Sequence, residues 1–201
     1  MFFKPKVIGK FQSDYSGTIR VVQGWGFRHL STEKIQQSGG IVREIWSKAL
    51  KNKASKNKSW LVLGVAGGTV IKMISQKFSS SRIVSVDIDP VIVDVGRKYF
   101  GLGDIPNSQV IIADAKDYLQ KTKDKFDYIL VDLFGVEGPP PFVYTENFLK
   151  RLKVVGEKVF INHLYNTPEN IQLTHQLLES FQALGFSAQL QRVLANAVII
   201  C

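Results

Sequence analysis

The chain has 201 residues, of which 45% are hydrophobic, and this is enough apolar material for one domain with a real core. No apolar run approaches the roughly 20 residues that span a bilayer, and the start is too short in apolar residues for a signal peptide, so we expect no membrane partner. Cys201 is the only cysteine and the three histidines are widely spaced, so we expect no disulfide, no metal site and a reducing, cytoplasmic compartment.

The net charge of +9 lies in the first 60 residues, which hold 12 Lys and Arg against 3 Asp and Glu. Much of it falls in one Lys-rich run, SKALKNKASKNKS, at residues 47–59. A basic run of this kind can attract nucleic acid or an acidic partner. Nucleic-acid modules interleave aromatic with basic residues, however, and here only Trp46 and Trp60 flank the run. We therefore favour a solvated linker and keep nucleic acid as the less favoured interpretation.

Residues 1–40 are predicted to form a small antiparallel β unit, because short runs between residues 7 and 38 alternate apolar and polar residues. These runs are VIGKF, GTIRVVQ and GFRHLS. The segment that follows, GGIVREIWSKAL, has the period of a helix. The apolar face of this helix is expected to contain Ile41, Ile45, Trp46 and Ala49. The helix and the Lys-rich linker together fill residues 41–59.

Residues 60–201 alternate buried strands with helices, and this pattern predicts a parallel sheet covered on both faces. Five apolar runs are the predicted strands: WLVLGV, RIVSVDID, QVIIAD, FDYILVD and KVFINHL. The helices between and after them are TVIKMISQKF, PVIVDVGRKYFG, AKDYLQKTK, TENFLKRLKVVG and TPENIQLTHQLLESFQALG. The last two strands, FSAQLQRV and AVIIC, are separated by LAN, which is too short for a crossover. The prediction is an α/β fold of five parallel strands closed by a C-terminal antiparallel hairpin.

A turn of small residues follows the first of these strands. In a doubly wound sheet, ligands bind beyond the carboxyl ends of the strands, where small residues let the backbone and a helix N-terminus approach them. The turn in LGVAGGT provides five such positions: Gly64, Val65, Ala66, Gly67 and Gly68. By itself the turn is a weak signal, because it also arises simply to pack a strand against a helix.

An acid follows the second strand. Asp87 lies 23 residues after Gly64 and can accept hydrogen bonds from both hydroxyls of a ribose. The alternative is a helix N-cap, and Asp89, directly before Pro90, suits that role better. Asp87 is therefore the better ribose ligand.

Acids also follow the third and fourth strands. Asp114 can accept from an adenine amino group while the Ala115 N–H donates to the ring, although a helix N-cap explains Asp114 equally well. Asp132 ends the fourth strand before a Gly/Pro-rich loop. Dinucleotide dehydrogenases share the glycine turn and the second-strand acid but need neither of these acids nor the hairpin. The combination points to an adenosine nucleoside whose reactive group faces the fourth strand, such as S-adenosylmethionine.

The order and spacing of four segments resemble the motifs of the spermidine-synthase-like proteins. The segments are WLVLGVAGGTVIKMI, IVSVDIDPVIVDVGRKYFG, VIIADAKDYL and FDYILVDLFGVEGPPPFVYTENFLKRL. The N-terminal FQSDYSGTIRVVQGWGFRHLSTEKIQQSGG also looks like the β-hairpin domain of that family. The resemblance covers nearly the whole chain and implies a Rossmann-like sheet of the class I S-adenosylmethionine-dependent methyltransferase fold.

The resemblance also implies the residues that bind the cofactor. Gly64–Gly68 would lie along the sulfonium side chain of S-adenosylmethionine or of its decarboxylated form. Asp87, with Ile88 beside it, would bind the ribose, and Asp114 with Ala115 would hold the adenine. The reaction implied is transfer of a methyl or aminopropyl group without a metal.

Gln37, with Gln36 as the alternative, would also bind the cofactor by reaching over the nucleoside from the N-terminal unit. The resemblance further implies a small-molecule acceptor and a homodimer. Asp132 matches the acid that helps to deprotonate the attacking amine, since a protonated amine has no free lone pair. Tyr144 and His163 are weaker candidates for the acceptor pocket, with helix-start packing and a structural role as their alternatives.

The sequence departs from the polyamine synthases at three acidic positions. Gly67 stands where an Asp is usual in the glycine turn, and Gly135 stands where a second Asp follows the catalytic one. A Tyr-His-Glu helix segment is replaced by IVREIWSKAL, in which Glu44 is the single acid. Each missing carboxylate removes a charge-assisted contact of roughly 1.5–3 kcal/mol with a diamine. Putrescine is therefore a doubtful substrate.

Two other functional classes stay open at this stage. A nucleic-acid methyltransferase would use the basic N-terminal segment to bind its substrate. A non-catalytic nucleoside-binding module would explain why acids of the acceptor site are missing.

Overall fold

The computed structural model describes residues 4–32, 36–79, 81–136 and 138–201, and for Gln36 it describes the backbone alone. The N-terminal strands are β1 (Lys6–Ser13), β2 (Gly17–Gly24), β3 (Phe27–Ser31) and β4 (Gln36–Ser38). They form an antiparallel sheet in the order β1-β2-β3-β4. The first three strands match the predicted runs, and β4 is a short addition that the alternation of residues did not indicate.

A seven-stranded sheet forms the centre of the molecule. Its strands are β5 (Ser59–Leu63), β6 (Arg82–Asp87), β7 (Ser108–Ile112), β8 (Phe126–Val131), β9 (Gly156–Leu164), β10 (Gln189–Val193) and β11 (Asn196–Ile200). The order is β10-β11-β9-β8-β5-β6-β7, with β5 to β9 parallel and β11 antiparallel to both of its neighbours. The predicted α/β fold with its closing hairpin is confirmed. The strand order reverses between β5 and β8.

In the part of the chain that the structure describes, six α-helices connect or flank the strands. They are α1 (Gly40–Ala49), α2 (Thr69–Lys77), α3 (Pro90–Phe100), α4 (Ala115–Lys121), α5 (Glu146–Val155) and α6 (Pro168–Ala183). Asp89 is the N-cap of α3, where its side chain accepts from the N–H groups of Val91 and Ile92, as predicted. Within the described ranges, no helix is long and apolar enough to cross a membrane.

The core has two halves because successive strand residues point to opposite faces of the sheet. Trp60 and Val62 face one half, and Leu61 and Leu63 face the other. The first half also takes in residues of the N-terminal sheet, namely Ile19, Val21 and Leu30. The N-terminal sheet therefore shares a core with α1, α2 and α3, and its position is fixed relative to the carboxyl ends of the parallel strands.

The apolar face predicted for α1 is wrong at one position. Ile41 is 51% exposed, and the buried residues are Val42, Ile45, Trp46 and Ala49. These four have the i, i+3, i+4, i+7 spacing of a helix stripe, whereas Ile41 lies at its edge. The first three predicted strands after the Lys-rich run each end two residues early, at Leu63, Asp87 and Ile112. The last predicted residues of the second and third of them, Asp89 and Asp114, are N-caps of the helices that follow.

Two lysines of the Lys-rich run contact neighbouring side chains. Lys48 forms an ion pair with Glu44 within α1, and the Lys53 ammonium donates to Gln191 of β10. The two flanking tryptophans are fully buried and have no face open for stacking on a base. The linker interpretation of the run stays a prediction.

Lys58, at the end of the run, contacts Asp127 at the start of β8. Its Nζ lies 2.6 Å from Asp127 Oδ1, and Asp127 Oδ2 accepts from both the N–H and the hydroxyl of Ser59 at 2.7 Å. The Lys58 hydrogen bond and then the Ser59 bonds lower the pKa of Asp127 from 3.8 to about 2. The carboxylate fastens the beginning of β5 to the beginning of β8.

We expect Asp127→Asn to lower the free energy of unfolding at pH 7 by about 1 kcal/mol, a fall in Tm of roughly 2–4 °C. Because the folded-state pKa is depressed, the contribution is present above about pH 4 and is lost as the pH falls toward 2. Urea unfolding of both proteins between pH 3 and 7 measures the difference. Asp124→Asn is the matched control, since Asp124 pairs with Arg82 at 3.4 Å in an exposed position. Equal effects of the two substitutions would contradict the prediction.

Candidate active site

A cavity of about 220 Å³ opens at the carboxyl ends of β5, β6, β7 and β8, beside the point where the strand order reverses. We call it the first cavity. The residues predicted from sequence that line it are Gln37, Gly64, Ala66, Asp87, Ile88, Asp114, Ala115 and Asp132. The structure thus brings together residues from the N-terminal unit and from four strand ends that are far apart in the chain.

The glycine turn is pressed against the end of β8. Gly64 has φ +93°, and a Cβ there would lie 2.2 Å from the Asp132 carbonyl oxygen. Ala66 also has a positive φ, of 46°, an unfavourable backbone conformation for a residue with a side chain. Gly68, with φ +79°, precedes α2 as its N-cap. The turn needs small residues because its backbone forms a wall of the cavity.

Three residues of the turn do not line the cavity. The Val65 side chain is buried in the core, although its N–H points toward Asp87. Gly67 faces Ser38 of β4, and a Cβ on Gly67 would lie 2.5 Å from the Ser38 hydroxyl oxygen. Gly68 packs against Leu102. These residues pack the side of the turn that faces away from the cavity.

Asp87 connects β6 to the glycine turn. Its Oδ2 accepts from the N–H groups of Val65 at 2.7 Å and Ala66 at 3.2 Å, and its Oδ1 accepts from the Asp89 N–H at 3.0 Å. Burial raises the pKa of the Asp87 carboxyl, and the three N–H donors oppose that shift. A carboxylate has about four lone-pair sites, so one on Oδ1 is left to accept from a ligand hydroxyl.

Asp114 is an N-cap and a cavity residue at once. Its Oδ1 accepts from the N–H groups of Lys116 at 2.7 Å and Asp117 at 3.2 Å, which confirms the capping interpretation. The other carboxylate oxygen takes no part in the cap, and Asp114 and Ala115 both line the first cavity. The two interpretations that the sequence left open are therefore compatible.

Asp132 is held from two sides by N–H donors. The Trp46 indole Nε1 donates to Oδ2 at 2.8 Å, and the Asn162 side-chain amide donates to Oδ1 at 2.8 Å. Asn162 Oδ1 in turn accepts from Asn196 Nδ2 at 3.0 Å. Burial raises the pKa of the Asp132 carboxyl, and the bonds from Asn162 and Trp46 oppose that shift. Two N–H donors on its two oxygens favour the ionised form, because a protonated oxygen would face a donor.

A second cavity, of about 250 Å³, adjoins the first. Gln37, Asp132 and Phe134 line both of them. The residues found only in the second are Ile41, Val42, Ile45, Asn162, Leu164, Asn166 and Asn196. Asp132 therefore lies between two adjoining spaces.

The N-terminal sheet closes the first cavity through the turn between β1 and β2. Tyr15 and Ser16 of this turn line the cavity, and the Ser13 hydroxyl donates to Asp89 Oδ2 at 2.6 Å. The Ser13 oxygen also accepts from the N–H groups of Tyr15 and Ser16. This turn was not predicted from the sequence. Its one local indication was the small polar residues on either side of Tyr15 in SDYS.

Other residues missed from the sequence are Trp46, Asn162 and Asn196. Trp46 looks like an ordinary core residue in its helix, and the two asparagines lie in apolar strands where an amide is out of place. A buried strand amide needs partners. That requirement is the signal that could have identified Asn162.

Tyr144 and His163 lie outside the lining of both cavities. His163 is fully buried, with Nε2 2.5 Å from the Tyr144 hydroxyl and Nδ1 2.8 Å from the Thr174 hydroxyl. Burial lowers the pKa of His163 and raises that of Tyr144. Both side chains join β9 to the segments packed on it, which agrees with their structural alternatives. Among the residues described, no group of three or more His, Cys, Asp or Glu could hold a metal ion.

The sheet order and the four strand ends define the class I methyltransferase type of α/β fold. The family model of the spermine/spermidine synthase domain matches residues 40–197 of this chain. The chain therefore belongs to the spermine/spermidine synthase family, as its motifs indicated.

Similar curated proteins have two kinds of name. The chain is 28% identical over 131 residues to a polyamine aminopropyltransferase of Thermococcus onnurineus, covering 62% of this chain and 45% of that protein. It is 27% identical over 155 residues to an eEF1A lysine and N-terminal methyltransferase of Mus musculus, covering 70% of this chain and 22% of that protein. The chain thus spans less than half the length of these curated relatives.

Solved structures confirm the fold. A spermidine synthase in complex with the transition state analogue AdoDATO superposes with a TM-score of 0.77 at 16% identity, over 98% of this chain and 73% of that one. Human methyltransferase-like protein 13 in complex with SAH gives a TM-score of 0.63 at 21% identity, over 80% of this chain and 79% of that one. At such identities the likeness establishes a common fold.

Gly67 and Gly135, which the resemblance places at acidic positions of the family, differ in the space around them. The contact at Gly67 is with Ser38, which is fully buried, so a side chain at Gly67 has no room. At Gly135, which lines the first cavity, a Cβ would meet only the Gly138 carbonyl oxygen at 3.6 Å, an ordinary contact. One acidic position is therefore closed by packing and the other is open.

We expect Gly67→Asp to destabilise the protein by about 1–3 kcal/mol through overpacking against Ser38, a fall in Tm of roughly 2–4 °C per kcal/mol. Gly135→Asp, with the same change in charge and size, should leave Tm close to that of the parent. Thermal unfolding followed by circular dichroism compares the two variants. A similar loss in both, or a larger loss in Gly135→Asp, would show that the packing argument is wrong.

Proposed function

We propose that the chain is a transferase that binds S-adenosylmethionine or its decarboxylated form in the first cavity and moves a methyl or aminopropyl group to a small-molecule amine. The position of Asp132 is the observation that carries this proposal. Its carboxylate lines both cavities and is aimed by the donors from Trp46 and Asn162. A carboxylate at such a junction can accept the proton of an amine in the second cavity.

The family and the names of its members support the proposal. The matched relatives are named as aminopropyltransferases and as a lysine and N-terminal methyltransferase, and the nitrogen of an amine is the nucleophile common to both. The two superposed structures carry AdoDATO and SAH, which are both sulfur-linked adenosine compounds. These names support a nucleoside donor and an amine acceptor, and they leave the choice between the two transferred groups to experiment.

The lining of the first cavity fits an adenosine nucleoside. Asp87 Oδ1 has a lone pair left for a ribose hydroxyl, and the longer bond from the Ala66 N–H is the one that a second hydroxyl can replace. Asp114 offers its uncapped oxygen to an adenine amino group. The N–H of Ala115, the first residue of α4, is one of the donors that a helix start leaves free.

A bound sulfonium nucleoside supplies an electrophilic carbon, and the chain supplies position and proton acceptance. The turn around Gly64 packs against the Asp132 backbone, and together they would form the wall of the first cavity beside the reacting carbon. The Asp132 carboxylate takes the proton from the ammonium and exposes the nitrogen lone pair. Most of the rate acceleration would come from alignment of the two reactants, with proton transfer contributing about 10²–10⁴-fold.

We expect isothermal titration to show binding of S-adenosylmethionine, its decarboxylated form or methylthioadenosine with a Kd below about 1 mM, or −4.1 kcal/mol. Asp87→Asn should weaken that binding by about tenfold or more, because it removes a charge-assisted bond to a ribose hydroxyl. Asp94→Asn, on the exposed face of α3, should not change it. Failure of all three compounds to bind would overturn the proposal.

We expect kcat/KM of the wild type to fall as the pH drops through the raised pKa of Asp132, because the protonated carboxyl cannot accept a proton. Asp132→Asn should lose about 10²–10⁴-fold in kcat/KM and lack this acid limb, while methylthioadenosine binding persists. Product formation measured by mass spectrometry from pH 4 to 9 gives both profiles. Unaltered product yield in the variant would remove the proposed role of Asp132.

Trp46→Phe tests the same group without touching the carboxylate. It keeps an aromatic ring in the core and deletes the N–H that donates to Asp132 Oδ2. Loss of a donor to the ionised form should move the acid limb to higher pH. Donor binding without turnover of any amine in the wild type would instead support a non-catalytic nucleoside-binding module.

A further inference from the structure

The second cavity has an unusual polar lining. Among the described residues that line it, Asp132 is the single ionisable one. The other polar residues are all amides: Gln37, Asn162, Asn166 and Asn196. The apolar part of the lining consists of Ile41, Val42, Ile45, Leu164 and Phe134. The cavity therefore offers one negative charge, an apolar stretch and a set of neutral hydrogen-bonding groups.

The negative charge lies at the buried end. Asn162 and Asn196 are less than 10% exposed, and their hydrogen bonds run from Asn196 through Asn162 to Asp132. The direction of this chain is fixed, since an ionised carboxylate can only accept. Asn162 must then point its NH₂ at Asp132 and its oxygen at Asn196. One ammonium group can be neutralised at this end.

Asn166, an exposed residue of the lining, marks the mouth of the cavity. Its side-chain oxygen accepts from Asn170 Nδ2 at 2.8 Å, so its own NH₂ is the group best placed to meet a ligand. An ammonium has three donors and no acceptor. A second ammonium at the mouth would therefore face another donor, and no carboxylate besides Asp132 is found among the described residues of the lining. A hydroxyl or carbonyl oxygen would be matched there.

We propose that the second cavity selects an amine with a single positive charge, carried on an aliphatic arm whose far end is an uncharged hydrogen-bond acceptor. This inference rests on the proposed transferase function and names the acceptor of that same site. The ammonium lies against Asp132, the arm against the apolar part of the lining and the acceptor group against Asn166. A free amino alcohol and a lysine side chain on a peptide share this chemistry, and they differ in what continues beyond the mouth.

Binding of the acceptor can be measured without turnover. Protein saturated with methylthioadenosine is titrated with 4-aminobutan-1-ol, with 1,4-diaminobutane and with an acetylated peptide that contains one lysine. We expect the amino alcohol or the peptide to bind about tenfold or more tightly than the diamine, the order of one charge-assisted hydrogen bond. Tighter binding of the amino alcohol would identify a free small molecule as the acceptor, and tighter binding of the peptide would identify a lysine side chain. Tighter binding of the diamine than of both would overturn the inference.

Asn166→Asp tests the mouth directly. The carboxylate should raise the affinity for 1,4-diaminobutane relative to 4-aminobutan-1-ol by about tenfold, because the second ammonium gains a charged partner. Gln172→Glu is the matched control, with the same change in charge on an exposed position of α6 that lines neither cavity. An unchanged ratio in Asn166→Asp, or an equal shift in both variants, would overturn the inference.

The same titrations separate this inference from the proposed function. If no nucleoside binds, the proposed transferase fails, and the inference about its acceptor fails with it. If methylthioadenosine binds and the diamine is preferred, the donor site stands and only the acceptor inference fails. Turnover of the preferred amine with S-adenosylmethionine or its decarboxylated form then supports both.

Discussion

The hydrogen bonds to Asp132 are the interaction on which the rest of the site depends. They come from two elements that are far apart in the chain: Trp46 lies in α1, and Asn162 lies in β9. A carboxylate enclosed at a sheet edge is costly unless donors surround it, so its position is secure only while α1 is docked on the sheet. The buried stripe of α1 provides that docking. The packing of α1, which precedes β5 in the chain, therefore fixes the position of the Asp132 carboxylate, which follows β8.

A second constraint couples the donor and acceptor sides. The Leu63 carbonyl accepts from the Asp132 N–H at 2.8 Å, and Gly64, the next residue, leaves room for the Asp132 carbonyl where any side chain would collide. The glycine turn and the end of β8 are thus one continuous backbone surface. A displacement of either would move the wall of the first cavity and the carboxylate together. In the proposed function, this gives a physical reason why nucleoside binding and amine activation would be organised by the same few residues.

The fold and the first cavity were predictable from sequence because local rules govern them. Strand and helix periods, the short hairpin linker and the acids at strand ends are all read from neighbouring residues, and all of them agree with a parallel sheet closed by an antiparallel hairpin. The partners of Asp132 were not predictable, because Trp46 is 86 and Asn162 is 30 residues away from it in the chain. Side-chain pairing over such separations depends on packing that periodicity does not encode. The misplaced Ile41 has a similar cause, since a residue at the edge of a helix stripe is buried or exposed according to its neighbour.

Gly67 and Gly135 stand at positions where the resemblance implies an acid, and they differ in whether the surrounding structure leaves room for a side chain. At Gly67 the volume of a side chain is already occupied by Ser38, so β4 and the glycine turn have adapted to each other, and one substitution cannot restore the acid. At Gly135 the space stays open, and nothing in the packing requires a glycine there. Gly67 lies behind the glycine turn and outside both cavities, so its packing bears on stability and not on the charge of an acceptor. The proposal of an acceptor with less charge than a diamine depends instead on the amides that surround the Asp132 carboxylate in the described part of the second cavity.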